Sequence, residues 1–397
     1  MDTLEVRVYN VRFGDAILIS VPDRDENTGD TQTRHVLIDV GNVLSGEGGD
    51  NVVFQPFVEN ILSVLDGRPV DLYVMTHEHM DHVQGLPYAA WKLEPPLEID
   101  VAYAWFTASA DPGYYENGKH PRSKEFADDA KKVYNTIDKY FRAALESDTD
   151  GFNYIQTLMG INSPSRTKEC VEYLQGLTDK VAYVHRDYDG LDEKHPFKEA
   201  KFEIWAPEED TSVYYGRFRS MALGLTGVDE TTEGRELIEP KPPAGVDAGD
   251  FYNLVNIRNH GYVDNLLTID RAANNTSVVF SLEWRGWKLL FTGDAERRSW
   301  KHMNKEGVLE PIHFLKVSHH GSHTGVPDSK FLEKILPTEP PDERPRRAVV
   351  STYPDTYKGV PDKDLLREEL SPRCEVTYLE KGTVPDGECL PAFEFEG

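Results

Sequence analysis

The sequence predicts an α/β protein in an arrangement consistent with an αββα sandwich. Short apolar runs of strand length, bounded by Gly, Asp or Asn, recur along the chain. Stretches with apolar residues at helical spacing alternate with them. The His- and Asp-rich clusters fall where apolar runs end.

Leu4 to Tyr9 alternates as a strand, with Leu4, Val6 and Val8 on one face. Arg12 to Asp15 is a turn, and Ala16 to Val21 and His35 to Val40 are further apolar runs. Strands joined by Gly/Asp turns read as the edge of a β-sandwich. Asp39 ends the third run before Gly41. A carboxylate there suits an ordinary turn equally well as a partner that orients a metal-bound imidazole. Val53, Phe57, Ile61, Leu62 and Leu65 have helical spacing and lead to the buried strand Leu72 to Met75. Residues 83–87 look like a helix start that Pro87 cuts short or redirects.

The chain reads as one domain, 1–397, with a largely helical insertion at 105–200. Phe126, Ala130, Val133, Ile137, Tyr140, Phe141 and Ala144 form a 3.6-residue stripe on a charged helix, and Cys170, Val171 and Leu174 suggest a shorter one. Such a stripe is packing surface, and it could cover a cleft as a lid, contact a protein partner or build a homo-oligomer. Phe202 to Pro207 is a short strand, and 219–250 a long acidic loop of the kind that is functional or mobile. Regularity then returns. Ser277 to Leu282 and Trp287 to Thr292 form a hairpin turning at Glu283 to Gly286, and Gly293 to Glu296 open a helix. Strands at Phe314 to Ser318, Ala348 to Thr352 and Val376 to Leu379 alternate with helices at Phe331 to Leu336 and Leu365 to Leu370.

Bulk properties narrow the function classes. No stretch of about 18 apolar residues appears, so no membrane span is expected. Met1 to Glu5 lack a basic n-region and an apolar h-region, so no leader is expected. Three widely spaced cysteines (Cys170, Cys374, Cys389) suit a reducing, cytoplasmic setting without a disulfide framework. The net charge of −26 repels polyanions at long range and argues against extensive non-specific nucleic-acid binding. A phosphate substrate stays open, because bound cations supply positive charge locally.

The densest chemistry is Thr76-His77-Glu78-His79-Met80-Asp81-His82, at the end of a strand. Imidazole and carboxylate suit zinc, manganese or iron. Thr292-Gly293-Asp294 puts a carboxylate at another strand end, where one Asp could bridge two cations. Ser318-His319-His320-Gly321-Ser322-His323 puts imidazole at a third. Six of the 13 histidines lie in the first and last of these stretches.

The spacing H-x-H-x-D-H resembles that of the metallo-β-lactamase superfamily. A longer series resembles the soluble domain of the ComEC/Rec2 competence proteins. It runs Val11 to Ala16, Leu37-Ile38-Asp39, His77 to His82, Ala206-Pro207, Asn274 to Ser277, Thr292 to Glu296, Lys316 to Ser322 and Ala348 to Ser351. The resemblance covers roughly 1–100 and 201–385, and it narrows the fold to an αββα metallo-β-lactamase sandwich. It implies two divalent metal ions, zinc or manganese. His77 and His79 would hold the first. Asp81 and His82 would hold the second. Asp294 would bridge, and His319 would close the set, with His320 as the neighbouring alternative. Asp81 and His320 are the catalytic candidates. A donor from His320, Ser322 or His323 would hold a substrate oxygen, and Asp39 would stand behind the ligands. Two cations sharing a water lower its pKa to about 7 and so supply the nucleophile.

The implied activity is that of a phosphodiesterase or nuclease acting on DNA or a small nucleotide. Hydrolysis of an ester, thioester or lactam is the alternative, favoured by any substrate pocket lined by the inserted helices. A non-catalytic regulatory or interaction protein is the third reading. Three departures from the family pattern bear on this. Arg12-Phe13 replace Gly-Gln, no strand-end His precedes Asp294, and Val360 stands where the family tends to have His. The second departure makes the His77–His79 side the weaker metal site.

Overall fold

The computed structural model describes residues 2–24, 28–29, 31–43, 49–145, 153–218, 263–353 and 359–397, except the side chains of 139–145 and 153–156. The expected acidic loop at 219–250 lies outside the described residues. The described residues form two mixed sheets with helices packed on them. The first sheet contains β1 (Thr3–Val8), β2 (Ala16–Arg24), β3 (Thr31–Val40), β4 (Leu72–Met75), β5 (Ala104–Thr107), β6 (Val181–Val184) and β13 (Phe393–Glu396). Its order is β13-β1-β2-β3-β4-β5-β6. It is antiparallel from β13 to β3 and parallel from β3 to β6. The second sheet has β7 (Lys201–Ala206), β8 (Val279–Trp284), β9 (Trp287–Phe291), β10 (Phe314–Lys316), β11 (Arg347–Ser351) and β12 (Glu375–Leu379), in the order β12-β11-β10-β9-β8-β7. Here β7 to β9 are antiparallel and β9 to β12 parallel.

The alternation read from Leu4, Val6 and Val8 has a direct cause. These residues are fully buried in a cluster shared by both sheets, with Trp105, Phe280, Leu282, Phe314 and Phe393. Strand side chains alternate between faces, so the other faces need separate cover. On the first sheet this comes from α1 (Asn51–Leu65), α3 (Gly85–Lys92) and α6 (Pro164–Gln175). On the second it comes from α8 (Arg297–Glu306), α9 (Ser329–Ile335) and residues 366–370. Phe280 makes the inter-sheet layer sensitive to truncation, and Phe280→Ala should cost about 3–5 kcal/mol.

Several boundaries differ from those expected. The hairpin turns on Arg285 and Gly286 alone, both at positive φ (47° and 81°), the two-residue geometry that matches sheet twist. A one-turn α2 (Met80–Val83) precedes α3. Pro87 lies in the first turn of α3, where its missing N–H costs no helical bond, so it does not end the helix. The 105–200 segment is not wholly an appendage. It holds α4 (Pro121–Leu145), α5 (Asn153–Ile161) and α6, but its strand β6 extends the first sheet. A helix over 263–275, α7, and strands β5 and β13 are further elements that the sequence pattern did not single out. Among the described residues no helix is long and apolar enough to cross a membrane.

In both sheets the parallel half positions the site. Asp39 lies at the end of β3, and His77 follows β4. Asp294 follows β9, and His319 and His320 follow β10. Carboxyl ends of parallel strands are where α/β sheets gather ligand-binding groups.

Candidate metal centre

Close backbone packing gathers these strand ends. Gly41 passes so near the Asp81–His82 peptide that a Cβ on it would lie 2.2 Å from the Asp81 carbonyl carbon. Gly293, at φ 49°, lies against Thr76, where a Cβ would sit 2.8 Å from the threonine Cβ. A side chain at either position would push apart the segments that carry Asp81 and Asp294.

Four side chains then converge: Asp81, His82, Asp294 and His320, all buried, each offering a ligand atom within 4.8 Å of the others. His82 Nδ1 donates to Asp39 Oδ2 at 2.8 Å, which leaves Nε2 facing Asp294 Oδ2 at 3.4 Å and Asp81 Oδ2 at 3.9 Å. His320 Nδ1 donates to the Ser351 carbonyl at 3.0 Å, and its Nε2 stands 3.5 Å from Asp81 Oδ2 and 3.4 Å from Asp294 Oδ2. In both rings a hydrogen bond at Nδ1 fixes the tautomer and aims Nε2 inward, the arrangement metal-binding imidazoles have. His82 Nε2, His320 Nε2, Asp81 Oδ1 and Asp294 Oδ1 have no hydrogen-bond partner although buried. Such groups are costly unless something else compensates them. A divalent cation does so, and the donor set of two imidazoles and two carboxylates fits zinc or manganese.

Charge points the same way. Asp15, Asp39, Asp81 and Asp294 are buried together, with Lys316 as the nearby ammonium. Lys316 Nζ pairs with Asp15 and lies 3.7 Å from Asp294 Oδ1. Three negative charges then remain when the imidazoles are neutral. Protons answer part of this without a cation. Burial lowers the pKa of His320, but Asp294, Asp81 and Asp15 outweigh it and raise the ring to about 9. Burial likewise opposes ionisation of His82, and Asp294, Asp39 and Asp81 still raise it well above its ordinary value. Asp294 goes the other way. Burial favours its neutral form, but His320 and His82 hold it well below the usual carboxylate range.

The His77–His79 pair lies beside this quartet, the rings of His77 and His82 being 4.2 Å apart between centroids. Asp39 accepts from Thr76 N at 2.7 Å and from Thr76 Oγ1 at 2.6 Å. The threonine proton is therefore committed, and Thr76 Oγ1 accepts from His77 Nδ1 at 3.1 Å. On the other side, Asn162 donates through Nδ2 to the Leu158 carbonyl (2.9 Å) and Asp270 Oδ1 (3.0 Å), which turns its Oδ1 toward His79 Nε2 at 3.0 Å. His79 must then donate from Nε2. Assigned from these partners, the unprotonated His77 Nε2 and His79 Nδ1 face each other 3.0 Å apart. Burial first, then the neighbouring His82 and His79, push the His77 pKa well below its ordinary value, so this ring stays neutral. Two lone pairs aimed at one point repel unless a proton or a cation lies between them.

No protein-family model matches the chain, and comparison with curated proteins finds no match either.

Two expected positions lie elsewhere. His319, rather than His320, was the expected closing residue, yet His320 occupies the fourth corner of the quartet. The positive φ of both residues (48° and 51°) turns the two rings apart. His319 Nδ1 meets Ser322 Oγ at 2.9 Å and Glu296 Oε1 at 3.3 Å. It forms a separate possible ligand group with Asp270 and Glu296, which the Asn274 amide already fills by donating to both carboxylates. His323 is exposed and faces Asp362 Oδ2 at 3.2 Å, away from the quartet. The Arg12-Phe13 departure also has a role: Arg12 pairs with Asp386, and the Phe13 ring packs on His320 at 4.4 Å.

Lys316, Asp15 and Ser351 lie within the motif stretches but were given no role there, and Asn162 and Asp270 lie outside every motif. Lys316 was visible as a lysine inside an apolar strand, a placement that requires a buried partner. Asn162, just after α5, and Asp270, in α7, have no recognisable spacing to the motifs.

Next to His79 and Glu78 opens a cavity of about 660 Å³. Its walls come from α4 (Phe126, Ala130, Tyr134), α6 (Val171) and α7 (Ile269, Ala273), with Asn162 at the His79 end. The helical stripe read from the sequence thus divides. Phe126 and Ala130 face the cavity, joined there by Tyr134 from outside the stripe, whereas Val133 and Ile137 pack with Leu158, Leu266 and Phe13.

Proposed function

We propose that the chain is a metal-dependent hydrolase with the αββα sandwich of the metallo-β-lactamase superfamily, using a binuclear site to activate water. One observation supports this above others. At adjacent strand ends, buried atoms of the quartet lack partners while His77 Nε2 and His79 Nδ1 face each other at 3.0 Å, and an outer hydrogen bond on each of the four imidazoles aims its other nitrogen inward. His77 and His79 would hold one cation, Asp81, His82 and His320 the other, with Asp294 between them. Bound there, the cations supply a water that ionises near neutral pH and neutralise charge on the developing oxyanion. The chain's own part is orientation. Asp39, Thr76, Asn162 and the Ser351 carbonyl fix the imidazoles, and Lys316 pairs with Asp15 beside Asp294.

The first substrate reading is a phosphodiester, in DNA or a small nucleotide, as the ComEC-like series of motifs implies. The cavity walled by the inserted helices favours a second, an ester, thioester or lactam, because it opens beside His79 with a volume that suits a small molecule and a lining that mixes apolar and polar side chains. Both use the same residues. Zinc- or manganese-loaded protein should hydrolyse bis-p-nitrophenyl phosphate and cleave single-stranded or plasmid DNA, and Asp294→Ala should abolish this. Turnover confined to esters or lactams would select the second reading. Less than one equivalent of bound metal with no turnover would reject both.

A further inference from the structure

We infer that Asn162, at the start of the short connection between α5 and α6, is a positioning residue that sets the tautomer of His79 and thereby makes occupancy of the His77–His79 cation site depend on the inserted segment. The inference rests on the metal reading above but concerns a residue outside every motif. Asn162 is 8 % exposed and in contact with the ring. A carboxamide can turn either oxygen or nitrogen toward a neighbour, so its orientation has to be fixed by its other contacts. Here both donors are committed, to the Leu158 carbonyl at 2.9 Å and Asp270 Oδ1 at 3.0 Å. Asp270 is itself held, since its Oδ2 accepts from Asn274 Nδ2 at 3.3 Å. The oxygen therefore faces His79 Nε2 at 3.0 Å and can only accept.

The consequence falls on the opposite ring nitrogen. With Nε2 protonated, a neutral His79 offers its lone pair at Nδ1, toward His77 Nε2 at 3.0 Å. Without the Asn162 oxygen, the pair relaxes by moving the His79 proton to Nδ1, where it donates to His77 Nε2. That swap fills the space where a cation would bind and removes one of two ligands. In the quartet the corresponding partners, Asp39 and the Ser351 carbonyl, belong to the two sheets. Only the pair takes its orienting group from the 105–200 segment.

The test uses the full chain, uniformly or histidine-labelled with ¹⁵N, and three variants: Asn162→Ala, Asp270→Ala and the swap Asn162→Asp/Asp270→Asn. The swap exchanges donor and acceptor between the two positions and keeps an oxygen at His79. In metal-free wild-type protein, long-range ¹H–¹⁵N spectra should show His79 protonated at Nε2. Asn162→Ala should move the proton to Nδ1, and the swap should restore it. Zinc titration with metal analysis should find two equivalents in the wild type and the swap. In Asn162→Ala one equivalent should weaken by about 10–100-fold, the loss usual for an outer partner of a ligand. Asp270→Ala should fall between. A wild-type His79 protonated at Nδ1, or an Asn162→Ala variant holding both equivalents at unchanged affinity, would overturn the inference. If Asn162→Ala does not fold, a swap variant that folds yet holds only one equivalent would overturn it equally. Wild-type protein with the expected tautomer but no bound zinc would instead overturn the metal reading, and the occupancy claim with it.

Discussion

The His77–His79 pair and the Asp81–His82–Asp294–His320 quartet touch, yet they are built from different materials. The pair offers two imidazoles steadied by a hydroxyl and a carboxamide. The quartet offers two imidazoles and two carboxylates, steadied by the Asp39 carboxylate and a strand-end carbonyl. Direction is supplied to both, but charge mainly to the quartet. Buried carboxylates are expensive without a counter-charge and attract a cation strongly when they face one another. The quartet should therefore hold its cation more tightly, and the pair should depend on Asp294 for any anionic ligand.

The largest expected effect probes what the two halves share. Asp294→Asn keeps the shape but removes the charge between them, so hydrolysis of bis-p-nitrophenyl phosphate should fall by roughly three orders of magnitude or more and bound metal to one equivalent or less. A variant retaining both equivalents and most of the activity would break the picture of a joined site. Lys316→Met comes next. Removing the ammonium leaves Asp15 without its buried ammonium partner in the metal-free protein, at a cost of about 3–5 kcal/mol, read as a lowered urea midpoint. Saturating zinc should recover much of that loss, and an unchanged midpoint would show that Lys316 does not balance the quartet. Asp39→Asn should weaken both cations by about 10–100-fold, because Asp39 orients His82 directly and His77 through Thr76. Weakening of one equivalent alone would show that the two halves are oriented separately.

The smallest effect is on titration. In the metal-free protein His320 is raised from 6.5 to about 9 and His82 is raised as well, whereas His77 is lowered. A raised imidazole stabilises the fold fully below its unfolded value near 6.5 and loses that contribution as pH climbs through about 9. Metal-free protein should accordingly melt a few degrees lower at about pH 9.5 than at about pH 6.5, with the His320 ring titrating over that interval and the His77 ring staying neutral. A melting temperature that rises over the same range would contradict the protonated quartet.

Much of this was legible from the residues, for identifiable reasons. Strands such as Leu4–Val8 announce themselves by alternation because one face is fully buried between the sheets. His77, His79, Asp81 and His82 are legible because four ligand-type side chains in six residues have no packing explanation. Asp294 and the His319-His320 dipeptide are legible from the strands they terminate. The choice between His319 and His320 was not, because it turns on two consecutive positive-φ residues that composition does not betray. Asn162 and Asp270 were hidden for a different reason. They act across about a hundred residues of chain, through single hydrogen bonds that leave no periodic trace. Strands β6 and β13 were missed because each is a short stretch with no ligand-type cluster at its end, the feature that marks the equally short β4.

The unequal strength of the two halves is tested most directly by chelator competition on zinc-loaded wild type and on His77→Ala/His79→Ala, with metal content followed step by step. The wild type should release its two equivalents in separate steps. The double variant should keep one equivalent with the affinity of the tighter wild-type step. Loss of that tighter equivalent in the double variant would contradict the account, as would a single release step in the wild type.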